Sequence, residues 1–99
     1  MICVIATLET AAGRRNDLLK VFEKLVPQVL AEKGCIKYAP TIDVVCDMTT
    51  ARPNVVTMVE KWESLAALKA HLASPHMAAF RKETADMGLT LSLQILEPA

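Results

Sequence analysis

Both histidines and the only tryptophan of this 99-residue chain fall between Glu60 and His76. Imidazole is the side chain best matched to moving protons near neutral pH, and a carboxylate beside it can fix its orientation. His71 and His76 are therefore the candidate catalytic bases, with Glu60 a candidate partner for either. The same residue types also serve structure. A histidine at the border of a helix face can simply bond a strand carboxylate, and a half-buried carboxylate needs a partner whatever else it does. Trp62, Tyr38, Glu60, Met58 and Phe80 form the candidate substrate-binding set. The chain has two Phe, one Tyr and one Trp, so each ring is either a wall for a planar ligand or a plug in a small core.

The elements that must position these groups can be traced by periodicity. Residues 2 to 9 are apolar and alternating, which predicts a strand with Ile2, Val4, Ala6 and Leu8 on one face. Leu18, Val21, Phe22, Leu25 and Val29 then follow the spacing of an amphipathic helix. Pro27 lacks an N–H and opposes the carbonyl of Glu23, predicting a kink near Val26, while Gly34 is placed to end the helix in a left-handed conformation. Residues 36 to 45 alternate again, and Pro40 within them argues for an edge strand or a bulge. After a polar connection, residues 55 to 63 read as a strand with Val56, Met58, Glu60 and Trp62 on one face.

Ser64 is the expected cap of a short helix with Leu65, Leu68 and Leu72 as its buried stripe and His71 near the border of that stripe. Ser74-Pro75 restarts a helix, because serine caps and proline tolerates the first helical position. His76 lies in its first turn, a setting that favours an imidazole free to accept a proton, and His76, Phe80 and Met87 share a side. Residues 89 to 97 alternate as a last strand. The order is β-α-β-β-α-β with the second helix split, an α+β, ferredoxin-like plan in which one face of an antiparallel sheet carries the helices.

Residues 1–99 read as a single domain, with no internal repeat or linker. A chain of this length hides only roughly 60 to 65% of its unfolded surface, yet 53% of the residues are hydrophobic and the mean hydropathy is +0.30. That excess points to a subunit interface, and a homodimer is the default. Eleven basic residues balance eleven acidic ones, and no basic stripe exists to bind nucleic acid. Cys3, Cys35 and Cys46 form no C-x-x-C pair and fit reduced thiols in a cytoplasmic protein. The apolar opening is too short to span a membrane.

Several runs together resemble the antibiotic biosynthesis monooxygenase family of small dimeric α+β barrels. They are Pro27 to Leu30, Glu32-Lys33-Gly34-Cys35, Tyr38-Ala39-Pro40, Met58-Val59-Glu60-Lys61-Trp62-Glu63-Ser64, Ala70-His71-Leu72 and Ser74-Pro75-His76-Met77. The likeness extends to Ile95-Leu96-Glu97-Pro98 and is greatest to the bacterial quinol monooxygenase branch. The resemblance implies a homodimeric barrel with a pocket between sheet and helices in each subunit, and no flavin, haem or metal cofactor. It implies a cofactor-independent monooxygenase or oxidase acting with O2 on small, naphthoquinol-like hydroquinones. Two other readings stay open: a non-redox isomerase or proton-transfer enzyme on a small metabolite, and a non-catalytic dimeric barrel that binds a small apolar ligand. Haem-degrading relatives place their iron ligand where this chain has Arg81, and polyketide-tailoring members place an asparagine where it has Met58, so neither activity is expected. A metal site from Glu60, His71 and His76 is not expected either, because Pro75 separates histidines that are not i, i+4 on one helix face.

Overall fold

The computed structural model describes all residues from Met1 to Ala99. Strand β1 (Ile2–Glu9) leads to helix α1 (Arg15–Leu30) and strand β2 (Cys35–Thr41). Strand β3 (Val55–Trp62) follows, then helices α2 (Leu65–Leu72) and α3 (Pro75–Glu83), and strand β4 (Thr90–Leu96) closes the chain. The sheet order is β2-β3-β1-β4, and every neighbouring pair is antiparallel. This is the expected α+β, ferredoxin-like plan with a split second helix.

Alternation along the strands decides which side the helices cover. Val4, Ala6 and Leu8 of β1 and Val56, Met58, Glu60 and Trp62 of β3 are all buried, together with Tyr38 of β2. Helix α1 lays Leu18, Phe22, Leu25 and Val29 onto this face, and α3 adds Met77 and Phe80. Phe22 and Phe80 meet with ring centroids 5.1 Å apart. The helix runs through Pro27 to Leu30 without a break, because the buried Leu25 and Val29 hold the turns on either side of the missing hydrogen bond. The opposite sheet face, with Cys3, Ile5 and Thr7, is only half-buried.

Strand β2 departs from the sequence expectation in its end and in its register, each for a physical reason. Strand β2 stops at Thr41: Ile42 and Val44 keep the alternation but have no partner strand, and both are exposed. The connection beyond is held at its ends by Arg52, whose Nε and Nη2 donate to the two carboxylate oxygens of Asp43 at 2.8 and 2.9 Å. That pairing pulls the Asp43 carboxyl down to about 2. A register shift between Cys35 and Lys37 turns Ile36 outward, and Pro40 sits on the edge strand, as its missing N–H requires.

Helix α2 is rotated relative to the expected stripe. Leu68 and His71 are its buried residues, whereas Leu65 is half-exposed and Leu72 lies at the rim. Gly34 adopts φ +87° and comes so near α2 that a Cβ there would lie 2.7 Å from Ala67 Cβ.

Candidate active site

Side chains from a turn, two helices and two strands converge under α2. Glu32 leaves the turn after α1, where its N–H donates to Val29 O and its C=O accepts from Cys35 N–H. Its Oε2 lies 2.7 Å from His71 Nδ1 and 2.9 Å from His76 Nε2. A carboxylate only accepts, so both ring nitrogens carry protons and donate to one oxygen. His71 is thereby fixed as the Nδ1–H tautomer, and its Nε2 keeps a free lone pair.

The two histidines meet Glu32 because of how α2 joins α3. Ser64 caps α2 by accepting from Ala67 N–H, and Ser74 caps α3 by accepting from Met77 N–H. The Ser74 hydroxyl also donates to His71 C=O at 2.7 Å, tying the end of one helix to the start of the next. A five-residue spacing across Pro75, which keeps histidines apart on a single helix, here folds them around one carboxylate. The sequence reading places Glu60 in that role. The structure gives it to Glu32, and Glu60 Oε1 instead accepts from Trp62 Nε1 at 3.0 Å.

His71 is 2% exposed, and aromatic rings surround it: Trp62 at 4.6 Å and Tyr38 at 5.4 Å between centroids. Burial lowers its pKa from 6.5, and the hydrogen bond and charge of Glu32 pull it back only in part. Lost hydration of the imidazolium therefore outweighs the carboxylate, and the ring stands neutral as a base must. Burial raises the Glu60 pKa, an effect moderated by the indole N–H. Burial and the charges of Glu60 and Glu32 push Tyr38 far above the ordinary phenol value, which keeps its hydroxyl a donor.

These groups border a cleft of about 550 Å³, its open mouth included. Its polar lining comes from Tyr38, Glu60 and His71; the rest is apolar, including Met58, Phe80 and the β4 residues Leu91, Leu93 and Ile95. Neither the Tyr38 hydroxyl nor His71 Nε2 bonds another protein group, and neither is sealed away, since Thr57 Oγ1 is the one sealed side-chain polar atom without a partner. Both atoms are free to meet a ligand in the cleft.

Tyr38, Glu60, Met58, Phe80 and His71 thus come together on the cleft wall. Trp62 and His76 do not. Trp62 lies behind the wall, bonded to Glu60 and packed against His71, while His76 lines a separate groove between α1 and α3 with Lys24, Gln28 and Glu83. Glu32 is the functional candidate that the sequence reading leaves without a role. A charged residue in a turn has no periodicity to mark it, and only the run Glu32-Lys33-Gly34-Cys35 in the resemblance contains it.

Ligand-type atoms of Glu32, His71 and His76 lie within 4.8 Å of one another. A zinc ion bound at about 2.1 Å in tetrahedral geometry holds its ligands about 3.4 Å apart. The 2.7 and 2.9 Å separations are those of N–H···O⁻ hydrogen bonds, and an ion would have to spread these ligands apart.

A two-layer α+β domain with an apolar cleft and a carboxylate-held imidazole defines a class, and sequence comparison names it. The family model for antibiotic biosynthesis monooxygenase matches residues 1–83, and the chain belongs to that family. The Escherichia coli K12 protein named "Probable quinol monooxygenase YgiN" is 39% identical over 102 residues, covering 99% of this chain and 98% of that protein; its Shigella flexneri counterpart matches equally. A crystal structure from Pseudomonas aeruginosa superposes with TM-score 0.84 at 25% identity, covering 99% of this chain and 93% of the other. One from Deinococcus radiodurans gives 0.84 at 22% identity, over 100% and 93%, and shows the shared fold. No helix of the chain is long and apolar enough to cross a membrane.

Proposed function

We propose that this chain is a cofactor-independent quinol monooxygenase or oxidase that acts on small, naphthoquinol-like hydroquinones with O2. The observation that carries this reading is an apolar cleft with one partnerless imidazole nitrogen, His71 Nε2, backed by Glu32 through Nδ1. The name and 39% identity of the E. coli relative support the same chemistry. His71 is the catalytic residue. It takes the phenolic proton, and the quinolate anion so formed passes electrons to O2, which needs no further redox group because the anion is itself the reductant.

In monooxygenation one oxygen atom adds to the ring and the other leaves as water: hydroquinone plus O2 gives hydroxyquinone plus H2O. In plain oxidation the products are quinone and H2O2. In either case the proton held on His71 returns to the reduced oxygen, which resets the base. Tyr38 donates a hydrogen bond to a substrate oxygen, Met58 and Phe80 hold the rings, and Glu60 is the polar group on the sheet wall. Apolar walls exclude water, which sharpens every charge interaction inside. No lysine or arginine borders the cleft, and this weighs against a phosphorylated metabolite as the substrate.

The protein works as a homodimer in this reading. All seven residues of β4 are exposed, Leu91, Leu93 and Ile95 leave one side of the cleft open, and the second sheet face is uncovered by any helix. A second copy covers such surfaces. Three free cysteines suit a cytoplasmic setting. The test is O2 uptake by purified, chelator-treated protein over a panel of hydroquinones, with products identified by mass. Acceleration over the buffer rate is expected; no acceleration with any naphthoquinol contradicts the proposal.

A further inference from the structure

Glu32 Oε2 receives two imidazole N–H donors, but the two rings face different surroundings. The His71 side chain is 2% exposed and lines the cleft, whereas that of His76 is 21% exposed and lines the groove between α1 and α3. His76 therefore cannot touch a substrate held against His71 Nε2. Their centroids are 6.5 Å apart, and their only hydrogen-bonded link is the shared oxygen.

From this geometry we infer that His76 is a positioning residue that sets the basicity of His71 by competing with it for one oxygen of Glu32. The inference rests on the proposed role of His71 as base and adds how strong a base it is. A carboxylate oxygen that accepts two N–H bonds divides its charge between them, so each donor weakens what the other receives. With His76 in place, Glu32 orients the His71 ring yet stabilises its imidazolium less than a lone carboxylate would. Glu32 Oε2 already accepts from both rings, and the proton taken from substrate is held at His71 Nε2, on the far side of the ring from the carboxylate. His71 can then return that proton to the reduced oxygen.

The arrangement is held stiffly enough to do this. Ser74 accepts from Met77 N–H and donates to His71 C=O, which fixes α3 against α2, and Pro75 pre-sets the first turn that carries His76. The other charged or titratable groups around His71 are Tyr38 on β2, Glu60 on β3 and Arg81 on α3, whose guanidinium donates to Leu72 C=O at 2.8 Å. Arg81 and His76 both act to lower the His71 pKa. Arg81 is retained in the variants below, so it does not enter the comparison.

The experiment is NMR titration of the His71 imidazole, aided by the presence of only two histidines. In His76→Ala, Glu32 is left to His71 alone, and the His71 titration is expected to move up by about one pH unit. The acid limb of the kcat/KM profile for O2 uptake with a naphthoquinol should move with it. His76→Gln, whose side-chain amide N–H can replace the Nε2–H donor, should restore both toward the parent value. An unchanged His71 titration in a folded His76→Ala overturns the inference, as does failure of His76→Gln to reverse a shift. If the titration moves and reverses as expected but no hydroquinone is consumed, the competition at Glu32 is established and the quinol reading fails by itself.

Discussion

At the residue scale the site depends on one carboxylate and the imidazole it holds. His71→Ala removes the proposed proton acceptor and should lower kcat/KM for O2 uptake by about 10²- to 10⁴-fold. Glu32→Gln keeps an acceptor oxygen for Nδ1–H but not the charge, so a smaller loss of about tenfold is expected. A Glu32→Gln loss equal to that of His71→Ala would contradict a merely supporting role for the carboxylate charge. The two perturbed groups on the cleft also act oppositely on stability. His71 has a folded pKa below its ordinary 6.5, so below that pH the unfolded chain gains a proton the folded one refuses, and stability falls as pH drops. Glu60 has a folded pKa above its ordinary 4.5, so its protonated form is retained on folding and stability falls as pH rises through that value. Between these limits the slopes oppose each other. Urea midpoints of Glu60→Gln between pH 4.5 and 6.5 should therefore rise with pH more steeply than those of the parent; a shallower rise contradicts the assignment.

At the scale of elements, the parts legible in the sequence are those governed by local rules. The buried stripe of α1, the alternation of β1 and β3, and the Ser64 and Ser74 caps all follow from spacing and side-chain chemistry. What could not be read depends on distant partners. Ile42 and Val44 look like strand until the absence of a neighbour is known, and His71 looks like a border residue until Glu32 and the rings around it are in place. Glu32, the residue that joins the histidines, has no local signature at all. Gly34→Ala tests how closely α2 must approach. Its left-handed φ and the 2.7 Å approach to Ala67 Cβ together should cost about 1–3 kcal/mol, read from the urea midpoint. Pairing it with Ala67→Gly should recover the steric part and leave the backbone strain. An unaltered midpoint in Gly34→Ala would mean that α2 can withdraw freely, and the rigid placement of His71 would be lost with it.

At the scale of the whole molecule, one subunit leaves too much apolar surface in water. Leu91, Leu93 and Ile95 are 59, 45 and 49% exposed, and Ile5, paired with Val59 and Gln94 on the second sheet face, is covered by no helix. The excess of hydrophobic residues over what a small domain can bury was visible in composition, but where it surfaces was not. Sedimentation should give twice the 10.8 kDa chain mass for the parent at micromolar concentration, and Ile5→Lys should shift it toward monomer. A monomeric parent contradicts the dimer. The central claim, that the apolar cleft lets His71 deprotonate a hydroquinone before oxygen reacts, has a direct measurement: the absorption spectrum of a naphthoquinol bound without O2. The parent protein should shift the bound quinol to its red-shifted anion spectrum at neutral pH, and His71→Ala should leave it neutral. A neutral spectrum in the parent, or an anion that persists in His71→Ala, would contradict the account.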